Sequence, residues 1–206
     1  DLKNKYGIEF WSIGGGIGII YKESLASGSV DWWLAQPEEE RPLTIERYGK
    51  ELVPRLKDLG LKILLEPGRY IVGNAGVLIT KCLYEKKGAA KTFKIVDAGM
   101  NDLIRPALYE GHHEIVPLKE PASSDRLKVD VVGPICESGD FFCQDRELPD
   151  FNPGDYIALM SAGAYGFAMA SNYNSRPLPA EILIEGDTST VIRKRQTLED
   201  VIEGEL

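Results

Sequence analysis

The sequence predicts an α/β segment followed by an all-β domain, and three observations carry that reading. Residues 8–65 run strand, helix, strand, the order of a βα barrel or a doubly wound sheet. The second strand ends in Glu66-Pro67-Gly68-Arg69. An acid and an arginine flanking a rigid turn suit a ligand site at the carboxyl end of a barrel strand. From about Lys91 onward, many short strand-like runs are punctuated by Gly and Pro.

Each element has its own warrant. Residues 8–13 (Ile-Glu-Phe-Trp-Ser-Ile) are apolar enough for a strand and lead straight into Gly14-Gly15-Gly16-Ile17-Gly18. A polar loop containing Pro and Gly is expected from Tyr21 to about Pro42. Thr44 is read as a helix N-cap, with Arg47 where a capping box would prefer Glu. Ile45, Tyr48, Leu52, Leu56 and Leu59 keep helical spacing up to Gly60, and Pro54 should kink or interrupt that helix. Residues 61–65 form the next strand. Beyond Arg69, residues 75–83, 93–96, 114–118, 127–132, 156–161 and 180–184 read as strands. Residues 191–195 pair back across Gly186-Asp187 as a hairpin. Short helices are expected at 102–109 and 197–202.

Composition narrows the function classes. With 206 residues, 43% of them hydrophobic, the chain can bury a core in one or two domains. A balance of 24 basic against 32 acidic residues gives a net charge of -8. That argues against binding nucleic acid or an anionic membrane through the overall field. No apolar run approaches the roughly 18 residues of a membrane span, and the N-terminus has no signal-peptide pattern. Cys82, Cys136 and Cys143 are an odd count without CxxC spacing. This argues against a disulfide framework or a zinc site and favours a reducing cytoplasm. The chain begins at Asp1 with a short lead before the first strand, and is read as a piece of a longer protein.

Four further stretches carry candidate chemistry. Gly14-Gly15-Gly16 follows a strand, so it is either a plain tight turn or a set of backbone N–H groups cradling a phosphate. It is not a dinucleotide fingerprint, because Ile19 stands where the third glycine belongs. Arg105 and Tyr109, four apart, share one helical face. They form either a carboxylate receptor or a solvated arginine beside a core tyrosine. Cys136 beside Glu137 in the loop Cys136-Glu137-Ser138-Gly139-Asp140 is either a proton donor with a charged neighbour or a small buried thiol. Cys82 and Cys143 are read as buried thiols. In Gly163-Ala164-Tyr165-Gly166-Phe167 the glycines present Tyr165 at a tip, and Asn174-Ser175-Arg176-Pro177 is a structural turn nearby. His112 and His113 point to opposite faces of an extended segment, which argues against a metal role.

Taken in order, these motifs resemble the diaminopimelate decarboxylase family, pyridoxal-phosphate enzymes that make L-lysine. The match runs from Gly14-Gly15-Gly16 through Glu66-Pro67-Gly68-Arg69, residues 97–109 and 136–140, to residues 163–167. The resemblance implies the C-terminal part of a PLP-binding (β/α)₈ barrel, residues 1–88, followed by a Greek-key β-barrel domain like that of alanine racemase, residues 89–206. It implies pyridoxal 5'-phosphate held by Gly14, Gly15, Gly16, Glu66, Pro67, Gly68, Arg69 and Tyr165. Glu66 would face the pyridine nitrogen and keep it protonated.

On the same resemblance, Arg69, Arg105 and Tyr109 receive the distal carboxylate of an amino-acid substrate. Glu137 takes its distal ammonium, and Tyr165 lies against cofactor and substrate. Cys136 returns a proton to the carbon that loses carbon dioxide. Cys136 and Glu137 of that family serve the partner subunit's site, which implies a homodimer. The family's cofactor-bearing lysine and ring-stacking histidine lie in the first half of the barrel, and no lysine here occupies that motif. The chain alone is therefore expected to be inactive. Decarboxylases of ornithine, arginine or carboxynorspermidine, and a non-catalytic regulatory homologue, are the competing readings. Glu137 with Arg105 and Tyr109 favours a substrate carrying both a carboxylate and an ammonium at its far end.

Overall fold

A computed structural model describes residues 2–37, 41, 43–121 and 125–205. After a short helix α1 (Leu2–Tyr6), strand β1 (Phe10–Ser12) runs parallel to β2 (Lys62–Leu64), with Trp11 opposite Ile63. Both strands are shorter than the runs 8–13 and 61–65, because each has one bonded neighbour and is held only where the two overlap. The stretch expected as a loop from Tyr21 contains a 3₁₀ turn (Ala26–Gly28) and helix α2 (Val30–Ala35). Ser29 caps α2 by accepting from Trp32 N at 3.2 Å. Six residues are too few to show helical periodicity, so only that cap could have signalled the helix. Pro42, the expected end of the loop, and Asp1 lie outside the described residues.

Helix α3 (Ile45–Leu56) starts as expected, with Thr44 Oγ1 accepting from Arg47 N at 3.3 Å. It runs through Pro54 for two further residues before tightening into a 3₁₀ turn (Lys57–Leu59). Gly60 then reverses the chain at φ 58°, the left-handed region where glycine has no Cβ to clash.

Helix α4 (Gly68–Val72) is followed by a 3₁₀ turn (Gly73–Ala75) that takes in Ala75, the expected first residue of a strand, and β3 (Leu78–Lys87) starts three residues late and runs longer. It is followed by β4 (Thr92–Val96), α5 (Arg105–Tyr109), β5 (Ile115–Pro117), β6 (Arg126–Val132), β7 (Phe141–Pro149) and β8 (Tyr156–Leu159). Six strands form one sheet in the order β5-β8-β3-β4-β6-β7, antiparallel except for the β4–β6 pair. Arg146 of β7 donates to the His113 carbonyl just before β5 at 2.5 Å, which brings the two sheet edges together. The nearly closed sheet wraps a core of Cys82, Val96, Val131, Phe142, Ile157 and Leu159. The sheet therefore begins at Leu78 rather than near Lys91, and a boundary between residues 88 and 89 falls between two bonded neighbours, β3 and β4.

Strand β7 is absent from the sequence expectations for a physical reason. Asp145 sits at φ 50°, and the β6 register slips there, with Val129 opposite Arg146 but Val131 opposite Cys143. Such a bulge breaks the alternation by which a strand is read. Asp130 accepts from Asp145 N at 2.6 Å, and Lys91 bridges both carboxylates. A second hairpin, β9 (Glu181–Glu185) and β10 (Thr188–Arg193), turns at Gly186-Asp187 as expected. Helix α6 (Leu198–Ile202) follows, capped by reciprocal Thr197–Asp200 bonds.

Candidate active site

Parallel pairing of β1 and β2 sends both chains out at the same end, and their loops stay bonded beyond the strands. Ile13 N donates to Leu64 O at 3.1 Å and Glu66 N to Gly14 O at 2.9 Å. Gly14 and Gly16 take φ angles of 74° and 84°. Between them, Gly15 presses so closely on Glu66 that a Cβ would overlap the Glu66 carbonyl oxygen, whereas a Cβ on Gly14 or Gly16 would meet open space. The two glycine-bearing turns are thus one structure. Ser12, not singled out from sequence, donates to the Glu66 carboxylate and accepts from Gly14 N at 3.1 Å. It anchors the acid and the glycine loop together.

Arg69 stands on α4, which is locked to the loop carrying Tyr165. Gly163 N donates to Gly73 O at 3.1 Å and Ala162 N to Gly76 O at 2.7 Å. Any side chain on Gly163 would collide with the Val72 carbonyl, and one on Gly166 with the Ala162 carbonyl. Tyr165, at φ 62°, is presented half-exposed with its ring 5.4 Å from the Arg69 guanidinium.

Arg105 is only 4% exposed, so it is not a solvated arginine. Its Nε donates to the Tyr109 hydroxyl and its Nη1 to His113 Nε2, both at 2.8 Å. The Tyr21 ring lies 4.5 Å from the Arg105 guanidinium and 5.8 Å from that of Arg69, so one aromatic joins the two cations. Tyr109 is 47% exposed and is not a core tyrosine. Among the described residues no carboxylate forms an ion pair with Arg105 or Arg69, and the buried Tyr21 hydroxyl has no hydrogen-bond partner. A buried arginine stays charged, and a charge removed from water without a counterion is costly. An anion reaching the cluster would supply the missing counterion. Spacing singles out Arg105 and Tyr109 in the sequence, but nothing local there ties Tyr21 or His113 to them.

The Cys136–Glu137 loop is pinned by buried Asp140. Its carboxylate accepts from Met100 N at 2.7 Å and from Ile135 N at 2.5 Å, and a Cβ on Gly133 would overlap it. Burial pushes the Asp140 carboxyl up, against the pull of those two N–H groups. Cys136 is exposed, unlike Cys82 and Cys143, which lie in the sheet core with their thiols pushed up by burial. Glu137 accepts from the Tyr173 hydroxyl at 2.5 Å, and that contact pushes the phenol up. The turn expected at residues 174–177 is what delivers Tyr173. Asn174 and Ser175 take φ angles of 60° and 55°, and Arg176 donates to Asn101 Oδ1 at 2.9 Å and to Asp97 O at 2.5 Å. Among the described residues no hydrogen bond, ion pair or ring contact links Cys136 or Glu137 to Arg69, Arg105, Tyr109 or Tyr165. The site residues therefore fall into two groups.

Two other features stand apart. Lys94 is buried in the sheet, bonded to Glu85, to Asp150 at 3.0 Å and to Phe151 O at 2.5 Å; burial opposes its charge, but the carboxylates win and its pKa is raised. A groove of about 500 Å³ lined by Arg41, Leu43, Arg47, Tyr48 and Arg55 shares no residue with either group.

Residues 20–163 match the family described as pyridoxal-dependent decarboxylase, C-terminal sheet domain. The diaminopimelate decarboxylase of Aquifex aeolicus is 45% identical over 205 residues, covering 98% of this chain and 44% of that protein. That of Zymomonas mobilis is 41% identical over 203 residues, covering 98% and 44%. The chain thus spans about 44% of the length of these curated relatives. Among solved structures, diaminopimelate decarboxylase from Helicobacter pylori complexed with L-lysine superposes with a TM-score of 0.80 at 43% identity, covering 98% of this chain and 46% of that one. The enzyme of M. jannaschii in co-complex with L-lysine gives 0.83 at 33% identity, covering 99% and 45%. The chain belongs to the pyridoxal-dependent decarboxylases, with residues 20–163 forming the match to their C-terminal sheet domain.

Proposed function

We propose that this chain carries the substrate-recognising part of a diaminopimelate decarboxylase, which converts meso-2,6-diaminopimelate to L-lysine and carbon dioxide. The observation that carries the reading is the arginine cluster: Arg105, buried and joined through Tyr21 to Arg69, has no carboxylate partner among the described residues. A simple diamine precursor offers nothing at its far end to fill that cluster. Diaminopimelate keeps a second carboxylate at its far end.

The residues fit pyridoxal phosphate. Gly14 and Gly16 leave open space where side chains would stand, and the Glu66-Pro67-Gly68-Arg69 turn lies against them. Gly14 N is held by Ser12, while among the described residues the N–H groups of Gly15 and Gly16 make no hydrogen bond and can meet a phosphate. Gly14, Gly15, Gly16 and that turn, with Tyr165, would hold the phosphate, and Glu66, anchored by Ser12, would face the ring nitrogen. When bound, the cofactor supplies an electron sink for the carbon that loses carbon dioxide. Arg69, Arg105 and Tyr109 hold the distal carboxylate and so orient the substrate. Glu137, aimed by Tyr173, takes the distal ammonium. Cys136 delivers one proton to the carbon left by carbon dioxide, which balances the reaction.

The separation of Cys136 and Glu137 from the arginine cluster supports a homodimer in which this loop serves the partner's site. We assign the cofactor-bearing lysine to a barrel half outside these residues, because no lysine in this chain occupies the family's motif for it. In this reading β1, α3 and β2 belong to the (β/α)₈ barrel and the sheet to a Greek-key domain. Three free thiols support a cytoplasmic setting, and among the described residues no helix is long and apolar enough to cross a membrane.

The test is a substrate panel. The intact gene product, supplied with pyridoxal phosphate, is assayed for carbon dioxide release from meso-diaminopimelate, ornithine, arginine and carboxynorspermidine. Diaminopimelate should be favoured in kcat/KM by at least about 30-fold, the worth of one satisfied buried charge. Equal or faster turnover of any of the other three rejects the assignment.

A further inference from the structure

We infer that His113 is a positioning residue of the anion receptor: a neutral imidazole that fixes the Arg105 guanidinium without cancelling its charge. The inference rests on the reading of Arg105 as the group that receives the distal carboxylate.

His113 is fully buried, and both its ring nitrogens are engaged. Arginine can only donate, so Nε2, 2.8 Å from Arg105 Nη1, must accept. The Met160 carbonyl can only accept, so Nδ1, 2.8 Å from it, must carry the proton. One tautomer of the uncharged ring meets both demands. Burial first, then the nearby Arg105, hold the pKa of His113 down at about 4 despite the Met160 carbonyl, so the ring stays neutral across the physiological range.

The choice of partner has a chemical consequence. Arg105 spends Nε on a phenol and Nη1 on an imidazole, two uncharged acceptors. Among the described residues Nη2 makes no hydrogen bond, so that nitrogen and the whole positive charge stay available. A carboxylate at position 113 would orient the arginine equally well, but as an internal counterion it would compete with the anion the site is built to bind. Tyr21 completes the setting, its ring edge-on to His113 at 5.7 Å and across Arg105 at 4.5 Å. The His113 backbone is itself tied down, its carbonyl accepting from Arg146. Each neighbour fixes geometry, and none supplies negative charge.

Three variants of the intact gene product, loaded with cofactor, test the inference against meso-diaminopimelate. His113→Leu removes the acceptor and should raise KM about 10-fold, the size of one hydrogen bond to a charged group, with kcat within about 2-fold. His113→Gln restores a neutral acceptor and should recover most of that loss. His113→Glu supplies the internal counterion and should raise KM at least as much as His113→Leu. If the buried acid keeps the His113→Glu variant from folding, the Gln and Leu pair decides the matter alone. Equal KM in Gln and Leu variants, or a fall confined to kcat and thermal stability, overturns the inference by showing a merely structural histidine. Arg105→Ala is assayed alongside. If it leaves KM and kcat/KM for diaminopimelate unchanged, the reading of Arg105 is what has failed, and the inference falls with it.

Discussion

Replacing Cys136 with alanine in the intact gene product is expected to lower kcat by roughly 10²–10⁴-fold, the usual contribution of a positioned general acid. KM should stay within a few-fold, because a thiol adds little binding energy. The structure makes this a clean experiment. Cys136 is exposed on a loop whose shape is set by Asp140 and its bonds to Met100 N and Ile135 N, so the substitution leaves no cavity in the core. The same change at Cys82 or Cys143 would remove a buried side chain, and its loss of activity would follow from instability. Steady-state kinetics with a parallel unfolding curve separate the two cases. An effect on KM alone, with kcat intact, would mean that the thiol only packs against the substrate.

Arg105→Ala should lower kcat/KM for meso-diaminopimelate by at least about 30-fold, since removing one partner of a buried charged contact costs roughly 2–5 kcal/mol. The loss should be selective. Lysine and ornithine offered as substrates carry no distal carboxylate, so any weak activity on them should barely change. The arginine is held among Tyr21, Tyr109 and His113 with its planar fork fixed at Nε and Nη1 by two directional acceptors, a geometry that a lysine ammonium does not reproduce. If activity on a diamine precursor falls as far as activity on diaminopimelate, Arg105 supports the fold instead of reading the substrate.

The parts of this site written in contiguous residues are legible in the sequence, and the parts made by tertiary contact are not. Gly14-Gly15-Gly16 and Glu66-Pro67-Gly68-Arg69 announce their turns by residue type, and Arg105 and Tyr109 announce a shared face by spacing. That Gly15 packs on the Glu66 carbonyl needs the parallel pairing of two strands fifty-odd residues apart, which no local pattern contains. Tyr21 reads as part of a polar loop, and His113 reads only as half of a histidine pair. Neither position carries a sign that it will meet Arg105. The turn at residues 174–177 is legible as a turn because Asn tolerates positive φ and Ser and Pro favour turns, but its role in bringing Tyr173 to Glu137 is not. Most strands lie within a few residues of their expected bounds. β7 is missed because the bulge at Asp145 throws its inward residues, Phe142, Cys143 and Leu148, out of simple alternation.

Product inhibition tests the central claim most directly. Decarboxylation at one end of meso-diaminopimelate leaves the carboxylate and ammonium at the other, so L-lysine still carries what Arg69, Arg105, Tyr109 and Glu137 are proposed to read. Cadaverine has the same carbon chain without the carboxylate. In competition with meso-diaminopimelate, L-lysine should bind the intact gene product at least about 30-fold more tightly than cadaverine, on the same arithmetic of one satisfied buried charge. That preference should vanish in the Arg105→Ala variant. Equal inhibition by the two amines in the unmodified protein would contradict the claim that the buried arginine cluster is a receptor for the distal carboxylate.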